Sequence, residues 1–524
     1  MTATWLTFGE MLRVNAVKYP SNVALSDETR SFTFPQTDRR TRKLANALLG
    51  LGLRPGDRVA MFLENSIEIC EVYWACAKAG LIVVPINFRC VGPEIEYIMD
   101  HAEAKVLVAH DEFVPLIDQV RAGFRHAGAE RAFVVGGKRE GWRGYEELVE
   151  SGEDAEPPVR VRPEDPWIQL YTSGTTGKPK GVVRSHESYV AFYLINGIDF
   201  RFHPGEVCLT VMPYCHVNAT FFSFAVAYVG GRNHAFPARF FDPEKLLAAF
   251  ARHRVTFCSL VPTHYNLIVN LPEAARKKHD TSCVQKLLCS SAPARQETKK
   301  AILQVFPGVQ LYEGYGSTEA GIVTTLYPHE QLTRLGSIGR ESSGTDLVRI
   351  LDEERRPVAR GEVGELFSRG PMMFTEYFKD EERTKASFAG EYFSAGDMAR
   401  QDGDGYYFLV DRKNNLIITG GEKVFPSEVE ELISKVPGVF DVAVIGTPHD
   451  KWGEMVVAVV VRKKDATVSE AEIAAHCRKN VAGYKVPKQV VFIPDAEMPR
   501  TPTGKILHRK LRERFGCMRL GCEP

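Results

Sequence analysis

Through the first half of the chain, segments with helical apolar spacing give way, after short connections, to brief runs rich in Val and Ile. "DRRTRKLANALLGLGLRPGDRVAMFLEN" reads as a helix, a stop at Gly50 or Gly52, and a strand from Arg58 to Leu63. "IEICEVYWACAKAG" reads as a second helix, capped by Gly80, before the strand "LIVVPIN", and "EIEYIMDHAEAKVLVAHD" repeats the scheme. Helix and strand alternating at such short connections predict an α/β fold with a largely parallel, doubly wound sheet. Residues 140–165, rich in Glu, Gly, Pro and Arg, read as an irregular connection. From "ILDEERRPVARGEVGELFSRG" the pattern turns β-rich, with Gly361, Gly364 and Gly370 as turn residues. Pro426 suits the entry of the helix "PSEVEELISKV". The last hundred or so residues read as strand, strand, helix and strand, a small α+β unit. The chain therefore divides into a large N-terminal domain of doubly wound sheets plus a β-rich subdomain, residues 1–411, and a small C-terminal domain, residues 412–524.

Size and composition narrow the function. With 524 residues, 44% apolar and 25% charged, the chain can bury a large core. Lys plus Arg and Asp plus Glu both total 66, which gives no support for a nucleic-acid partner or an acidic-membrane binder. The eleven cysteines include no Cys-x-x-Cys pair and read as reduced thiols in a cytoplasmic protein, with Cys70, Cys76 and Cys258 as core fillers. The histidines show no His-x-x-x-His or similar spacing, so no structural zinc site is expected from local sequence. The N-terminus carries Glu10 and lacks a signal-like apolar core, and "FFSFAVAYVGG" and "MVVAVVV" are too short to span a bilayer. They fit a buried helix and a buried strand of a soluble protein with no transmembrane segment, and leave a homodimer open.

The stretch "YTSGTTGKPKG", Tyr171 to Gly181, packs three glycines, four Ser or Thr hydroxyls and two lysines into eleven positions. It is not the Gly-x-x-x-x-Gly-Lys-Ser/Thr loop, because only two residues separate Gly174 from Gly177 and Pro179 follows Lys178. The proline also biases Lys178 away from helical geometry. Strand-like "WIQLYT" and "GVVRS" flank the loop. Successive backbone N–H groups along such a turn can form an anion nest, with Ser173, Thr175 and Thr176 adding donors and Lys178 and Lys180 adding charge. A solvated turn has the same composition.

Further stretches follow in a fixed order: "YGSTE" (Tyr315 to Glu319), "GEVGEL" (Gly361 to Leu366), "SAGD" (Ser394 to Asp397), "DRKNNLIITGGEKVFPSEVE" (Asp411 to Glu430) and "PRTPTGKI" (Pro499 to Ile506). Together with the loop they resemble the motif series of the acyl-adenylate-forming superfamily, which includes acyl-CoA synthetases, peptide-synthetase adenylation domains and firefly luciferase. The resemblance covers nearly the whole chain. It implies that a carboxylate attacks the α-phosphate of ATP with Mg²⁺, giving an acyl-adenylate and pyrophosphate, and that coenzyme A then displaces AMP. It also implies that the small domain is mobile and rotates between the two half-reactions.

The resemblance assigns roles residue by residue. Thr172, Ser173, Gly174, Thr175, Thr176, Gly177 and Lys180 belong to the phosphate loop. Glu319 matches the Mg²⁺ ligand, and Thr318 a donor to the α-phosphate. Tyr315 resembles the residue that stacks on adenine, with Ser291, Ala292 and Pro293 of "SSAP" opposite and Glu313, Gly314 and Gly316 beside it. Asp397 matches the carboxylate that accepts the ribose hydroxyls, although Ala395 stands where the family usually has Thr, and Arg412 matches a second ribose contact. Lys505 matches the adenylation lysine, and His216 the histidine that gates the carboxylate site. Gly420, Gly421 and Glu422 match the face presented to the pantetheine arm. Asn414 occupies the pivot position, where Asp or Lys is usual.

Three local features bear on the acid. Gly316 stands where acetate and propionate synthetases carry a tryptophan, leaving room for a longer or wider acyl group. "PYCHVNAT" offers His216 and Asn218 and no acid to pair with an amino group. The run Ala219 to Val229, with Val261 and Cys289, reads as acyl-tunnel lining or as plain core. No carrier-protein segment follows the small domain, so free coenzyme A is the expected acceptor. The leading expectation is a medium- or long-chain fatty acid:CoA ligase. The alternatives are an aromatic, cyclic or carnitine-like acid:CoA ligase, an adenylate-forming loader of a carrier protein, a luciferase-like oxidase, or a degenerate homologue that only binds nucleotide.

Overall fold

The computed structural model describes residues 7–172, 178–237, 239, 241–290, 296–500 and 506–516. The chain falls into two compact units: Met1–Val348 with Ser368–Phe393, and Arg349–Phe367 with Ser394–Pro524.

The first unit holds two large sheets. In one, strands Val23–Ser26, Arg232–Ala235, Val207–Thr210, Phe257–Leu260, Lys286–Ser290 and Gln310–Ser317 run parallel as neighbours in that order. Antiparallel strands Ser31–Thr33 and Gly321–Leu326 extend it on either side. In the other, Pro166–Thr172, Ile82–Pro85, Arg58–Phe62, Ala104–His110 and Ala132–Val135 are parallel neighbours, and Lys180–Ser185 joins antiparallel beside Pro166–Thr172. The doubly wound reading of the sequence is correct, and it is realised twice.

Local signals explain the helix ends. Ser66 accepts the backbone N–H of Ile69 ahead of the helix Ile67–Ala79, and Gly80 ends it in a left-handed conformation at φ 67°. Every residue of that helix is buried, and the charged stripe of Glu68, Glu71 and Lys78 is covered through ion pairs with Arg30, Arg40 and Asp38. Phe8, Trp74, Trp167 and Phe224 pack there with ring centroids 4.6 to 6.3 Å apart. The connection read as irregular contains a short helix, Tyr145–Ser151, that buries Tyr145, Leu148 and Val149 at helical spacing. Its flanking prolines and glycines mask these roughly two turns in the sequence.

In the second unit, Arg349–Leu351, Gly364–Phe367, Asp397–Gln401 and Tyr407–Arg412 form an antiparallel sheet, the β-rich subdomain of the sequence reading. A further sheet pairs Val439–His449 with Gly453–Arg462, flanked by Ile417–Thr419 and by Gln489–Phe492. The run "VVAVVV" is apolar on both faces because both are covered. Val456, Ala458 and Val460 pack with Val429, Ile433 and Ile473, while Val457 and Val459 pack with Leu511 and Phe515. No helix among the described residues is long and apolar enough to cross a membrane. The nine described cysteines are all free.

Candidate active site

The glycine-rich loop is carried by a hairpin. Thr172 lies opposite Lys180 across the antiparallel pair, so the sheet brings the two ends of the loop together. Two tyrosines brace them. Tyr97 donates from its hydroxyl to the Pro179 carbonyl at 3.0 Å, and the Tyr171 hydroxyl lies 2.7 Å from His101 Nδ1. Ser173, Gly174, Thr175, Thr176 and Gly177 lie outside the described residues. The Thr172 hydroxyl is buried and has no hydrogen-bond partner among them, which suits a group waiting for a ligand.

Beside the loop, Lys180, Glu319 and Tyr377 form a closed triangle. Lys180 Nζ is 2.8 Å from Glu319 Oε1 and donates to the Tyr377 hydroxyl at 2.7 Å, and that hydroxyl donates to Glu319 Oε1 at 2.9 Å. The ammonium also sits 4.0 Å from the centre of the Tyr377 ring. Burial opposes ionisation of Glu319, but Lys180 and Tyr377 outweigh it and hold the carboxyl below its usual range. Burial and the neighbouring carboxylate push the Tyr377 hydroxyl well up, so it remains a donor.

Arg184 supports this corner from within the core. It is fully buried, donates to the Thr318 carbonyl at 2.6 Å and to the Met372 carbonyl, and lies about 5 Å from the rings of Tyr189 and Phe221. The Phe374 N–H donates to the Glu319 carbonyl at 2.6 Å. Thr318 and Glu319 are therefore fixed through their own backbone. Neither Arg184 nor Tyr377 was singled out from sequence. A lone arginine inside the apolar run "GVVRS" was the available hint, because a buried arginine must have partners. Tyr377 offered none.

Glu313, Gly314, Tyr315 and Gly316 lie on the strand Gln310–Ser317, which bulges between Tyr315 and Gly316 as it pairs with Gly321–Leu326. Glu313 is buried beside the Lys299 ammonium. A Cβ on Gly316 would lie 2.0 Å from the Gly321 carbonyl oxygen. In this hairpin a side chain there would press on the neighbouring strand, so its absence does not by itself measure the width of an acyl pocket.

His216 precedes the helix Val217–Tyr228, whose Asn218 donates to Ser290 Oγ at 2.6 Å. That bond ties the start of this helix to the strand end just before Ser291, Ala292 and Pro293, which lie outside the described residues. Burial and the nearby Arg89 guanidinium push the His216 imidazole down to about 4, leaving it neutral at pH 7. Its Nε2 is buried without a hydrogen-bond partner among the described residues. The expected tunnel wall is packed with rings: Phe221 stacks on Phe192 at 3.9 Å, and Phe224 meets Tyr73 at 5.4 Å and Tyr214 at 5.8 Å.

In the second unit, Asp397 and Arg412 face each other across adjacent strands, with Arg412 Nε 2.8 Å from Asp397 Oδ1. Gly396, at φ 80°, makes the turn that starts the first of these strands, and its carbonyl accepts the Lys413 N–H at 2.8 Å. Asn414 sits in a short 3₁₀ turn whose carbonyl accepts from Arg512 at 2.7 Å. Gly420 and Gly421 have φ of 59° and 85° and form the tight turn between Ile417–Thr419 and Glu422–Val424. Both glycines and Glu422 are exposed. Lys505 lies outside the described residues; its loop is closed at the base by a bridge between Arg500 and Ile506.

A buried carboxylate kept ionised beside a hydroxyl-rich loop offers the hard oxygen that Mg²⁺ prefers, and the unpartnered Thr172 hydroxyl leaves a donor free for phosphate. The class so defined is an enzyme that works on a magnesium-bound nucleotide. The AMP-binding enzyme family matches residues 12–378, and the C-terminal domain of AMP-binding enzymes matches residues 428–505. The chain belongs to this family. It is 34% identical to the long-chain-fatty-acid–CoA ligase FadD13 of Mycobacterium tuberculosis over 97% of this chain and 98% of that one. It is 33% identical to a feruloyl-CoA synthase of Amycolatopsis over 95% and 96%. The crystal structure of the anthranilate CoA ligase AuaEII superposes with a TM-score of 0.88 at 28% identity, covering 98% of both chains. The protein is an AMP-forming acyl-CoA ligase that uses ATP, Mg²⁺ and coenzyme A.

Proposed function

We propose that this ligase activates an aromatic or cyclic carboxylic acid in preference to a medium- or long-chain fatty acid. The observation that carries the reading is the aromatic packing of the helix Val217–Tyr228. Its residues Asn218 to Ala227 are buried, and Phe221, Phe222 and Phe224 are engaged with Phe192, Phe200, Tyr73 and Trp74. A long acyl chain directed along this helix would have to displace that core, whereas a compact ring would not. The feruloyl- and anthranilate-activating relatives act on ring-bearing acids, which supports the same choice.

In this reading, Glu319 holds Mg²⁺, which neutralises phosphate charge when bound. The loop from Thr172 to Gly177 and Lys180 bind the phosphates, and Thr318 donates to the α-phosphate. Tyr315, with Glu313, Gly314, Gly316 and Ser291 to Pro293, forms the adenine pocket, while Asp397 and Arg412 hold the ribose. Lys505 offsets the charge shared between the attacking carboxylate and the α-phosphate, the step in which two anions meet. Neutral His216 borders the carboxylate. The small domain, residues 412–524, turns about Asn414 between half-reactions and presents Gly420, Gly421 and Glu422 to the pantetheine arm.

Pyrophosphate release with and without coenzyme A, over benzoate, cinnamate, indole-3-acetate, octanoate and palmitate, tests the substrate class. The expected result is a kcat/KM for one ring-bearing acid at least about tenfold above either fatty acid, a preference of about 1.4 kcal/mol in the transition state. An equal or greater kcat/KM for octanoate or palmitate overturns it.

A further inference from the structure

On a different part of the large unit, three side chains from separate stretches of sequence converge. Glu28 follows the strand Val23–Ser26, His234 lies on the neighbouring parallel strand Arg232–Ala235, and His253 is the last residue of the helix Pro243–His253. The register places Ser26 beside His234, and the helix end brings His253 over it. Glu28 Oε1 is 3.5 Å from His234 Nε2 and 3.1 Å from His253 Nε2, and the imidazoles stack with centroids 3.9 Å apart. One ligand atom from each of the three lies within 4.8 Å of the other two.

We propose that Glu28, His234 and His253 form a binding site for Zn²⁺ that is separate from the catalytic Mg²⁺. Tetrahedral zinc with bonds of about 2.0–2.1 Å sets its ligand atoms roughly 3.4 Å apart, close to the two Glu28–histidine separations. His234 is fully buried, yet its Nε2 has no hydrogen-bond partner among the described residues and lies 3.5 Å from Glu28 Oε1. Its other ring nitrogen lies 3.0 Å from Ser26 Oγ. When Nδ1–H donates to that hydroxyl, Nε2 carries a lone pair facing the cluster, the arrangement that orients a metal-bound histidine. Arg252 donates to Glu28 Oε2 at 2.8 Å, which fixes the carboxylate and leaves Oε1 for the metal. The His253 carbonyl accepts from Arg232, which anchors the helix end. A cleft of about 470 Å³, lined by Asn22, Gly205, Glu206, Arg232, Arg252 and His253, gives access from solvent.

The donor set selects the metal. Two imidazoles and one carboxylate suit a borderline transition-metal ion, whereas Mg²⁺ and Ca²⁺ prefer oxygen ligands throughout. Bound zinc ties the turn after the strand Val23–Ser26 to the end of the helix Pro243–His253, two segments far apart in sequence.

The test uses the full chain, stripped with chelator and titrated with Zn²⁺ against a chromophoric chelator, with Co²⁺ absorption as the spectroscopic reading. The expected result is one equivalent bound with Kd below about 1 μM, and visible Co²⁺ bands of a low-symmetry four-coordinate site. Because His234→Ala removes a core side chain, the deciding variants are His253→Gln and Glu28→Gln at the edge of the site. Each is expected to weaken zinc binding at least tenfold and to abolish the Co²⁺ bands, with the circular-dichroism spectrum unchanged. Wild-type binding weaker than this, or variants that bind zinc as tightly as wild type, overturns the proposal.

Discussion

Tyr377→Phe removes one oxygen and leaves the ring in place. The hydroxyl that disappears is the third corner of the triangle with Lys180 and Glu319, at 2.7 and 2.9 Å. The direct 2.8 Å contact between Lys180 and Glu319 survives, as does the ring beneath the ammonium. A net hydrogen bond to a charged group contributes about 1.5–3 kcal/mol. If that loss falls on the magnesium-nucleotide complex, kcat/KM for ATP drops roughly 10- to 100-fold, with the lower end expected because one ion pair persists. The acid limb of the rate profile supplies a second readout. Glu319 has its folded pKa depressed, so it acts as an anion above that value and is lost as pH falls through it. Its contribution to stability is fully present above the unfolded glutamate value of about 4.3 and fades below it. Loss of the tyrosine donor raises the folded value, so the acid limb moves to higher pH in the variant. Initial rates of ATP–pyrophosphate exchange from about pH 8 down to about pH 3, below the ordinary glutamate value, measure both effects, with thermal unfolding at each pH as a control for folding. A variant within twofold of wild type in kcat/KM, with an unmoved acid limb, would refute the coupling of Tyr377 to Glu319.

Asp397→Asn keeps the shape of the site but removes the charge opposite Arg412, and should raise KM for ATP by about tenfold in steady-state kinetics, the scale of one charge-assisted hydrogen bond. Lys505→Ala should lower acyl-adenylate formation at least 100-fold, while coenzyme A still reacts with pre-formed acyl-adenylate at a rate near that of wild type; single-turnover quench-flow separates the two steps. Gly316→Ala forces a methyl group to within 2.0 Å of the Gly321 carbonyl, and should cost about 1–3 kcal/mol of stability, read as a lower Tm together with lost exchange activity.

The alternation of helix and strand was legible because each signal is local. Ser66, the apolar run after it and Gly80 mark one helix completely. The hairpin around the glycine-rich loop was legible for the same reason: strand patterns flank a stretch that cannot continue either strand. Residues whose roles depend on distant partners were not. Tyr377 and Lys180 meet only after the strand Glu376–Tyr377 pairs with Lys180–Ser185. The Glu28, His234 and His253 cluster escapes any spacing rule because its ligands come from three separate segments. The helix Val217–Tyr228 shows another limit, since a tunnel wall and a packed core present the same apolar composition. The contacts of Phe221 with Phe192 support the packed-core reading on which the proposed substrate class rests.

The charges in the large unit are arranged for a reaction between two anions. Glu319 alone would repel a triphosphate; in the function proposed above its carboxylate holds the divalent cation. Lys180 meets it directly, and Arg184 adds a second positive charge beneath it. The Arg184 guanidinium donates to the carbonyls of Thr318 and Met372 and touches two aromatic faces, with no carboxylate in contact among the described residues. Carbonyl dipoles and π faces offset its burial without cancelling its charge. With both cations counted against one carboxylate, this corner carries a net positive charge before any metal binds. That field favours a polyphosphate and tolerates the approach of a second anion, and it persists while Glu319 is committed to the cation. Had Arg184 been paired with an acid of its own, the same backbone geometry would have been held with the electrostatic gain removed. The buried arginine therefore serves position and charge together, which accounts for an arginine in a strand whose other residues are mostly apolar.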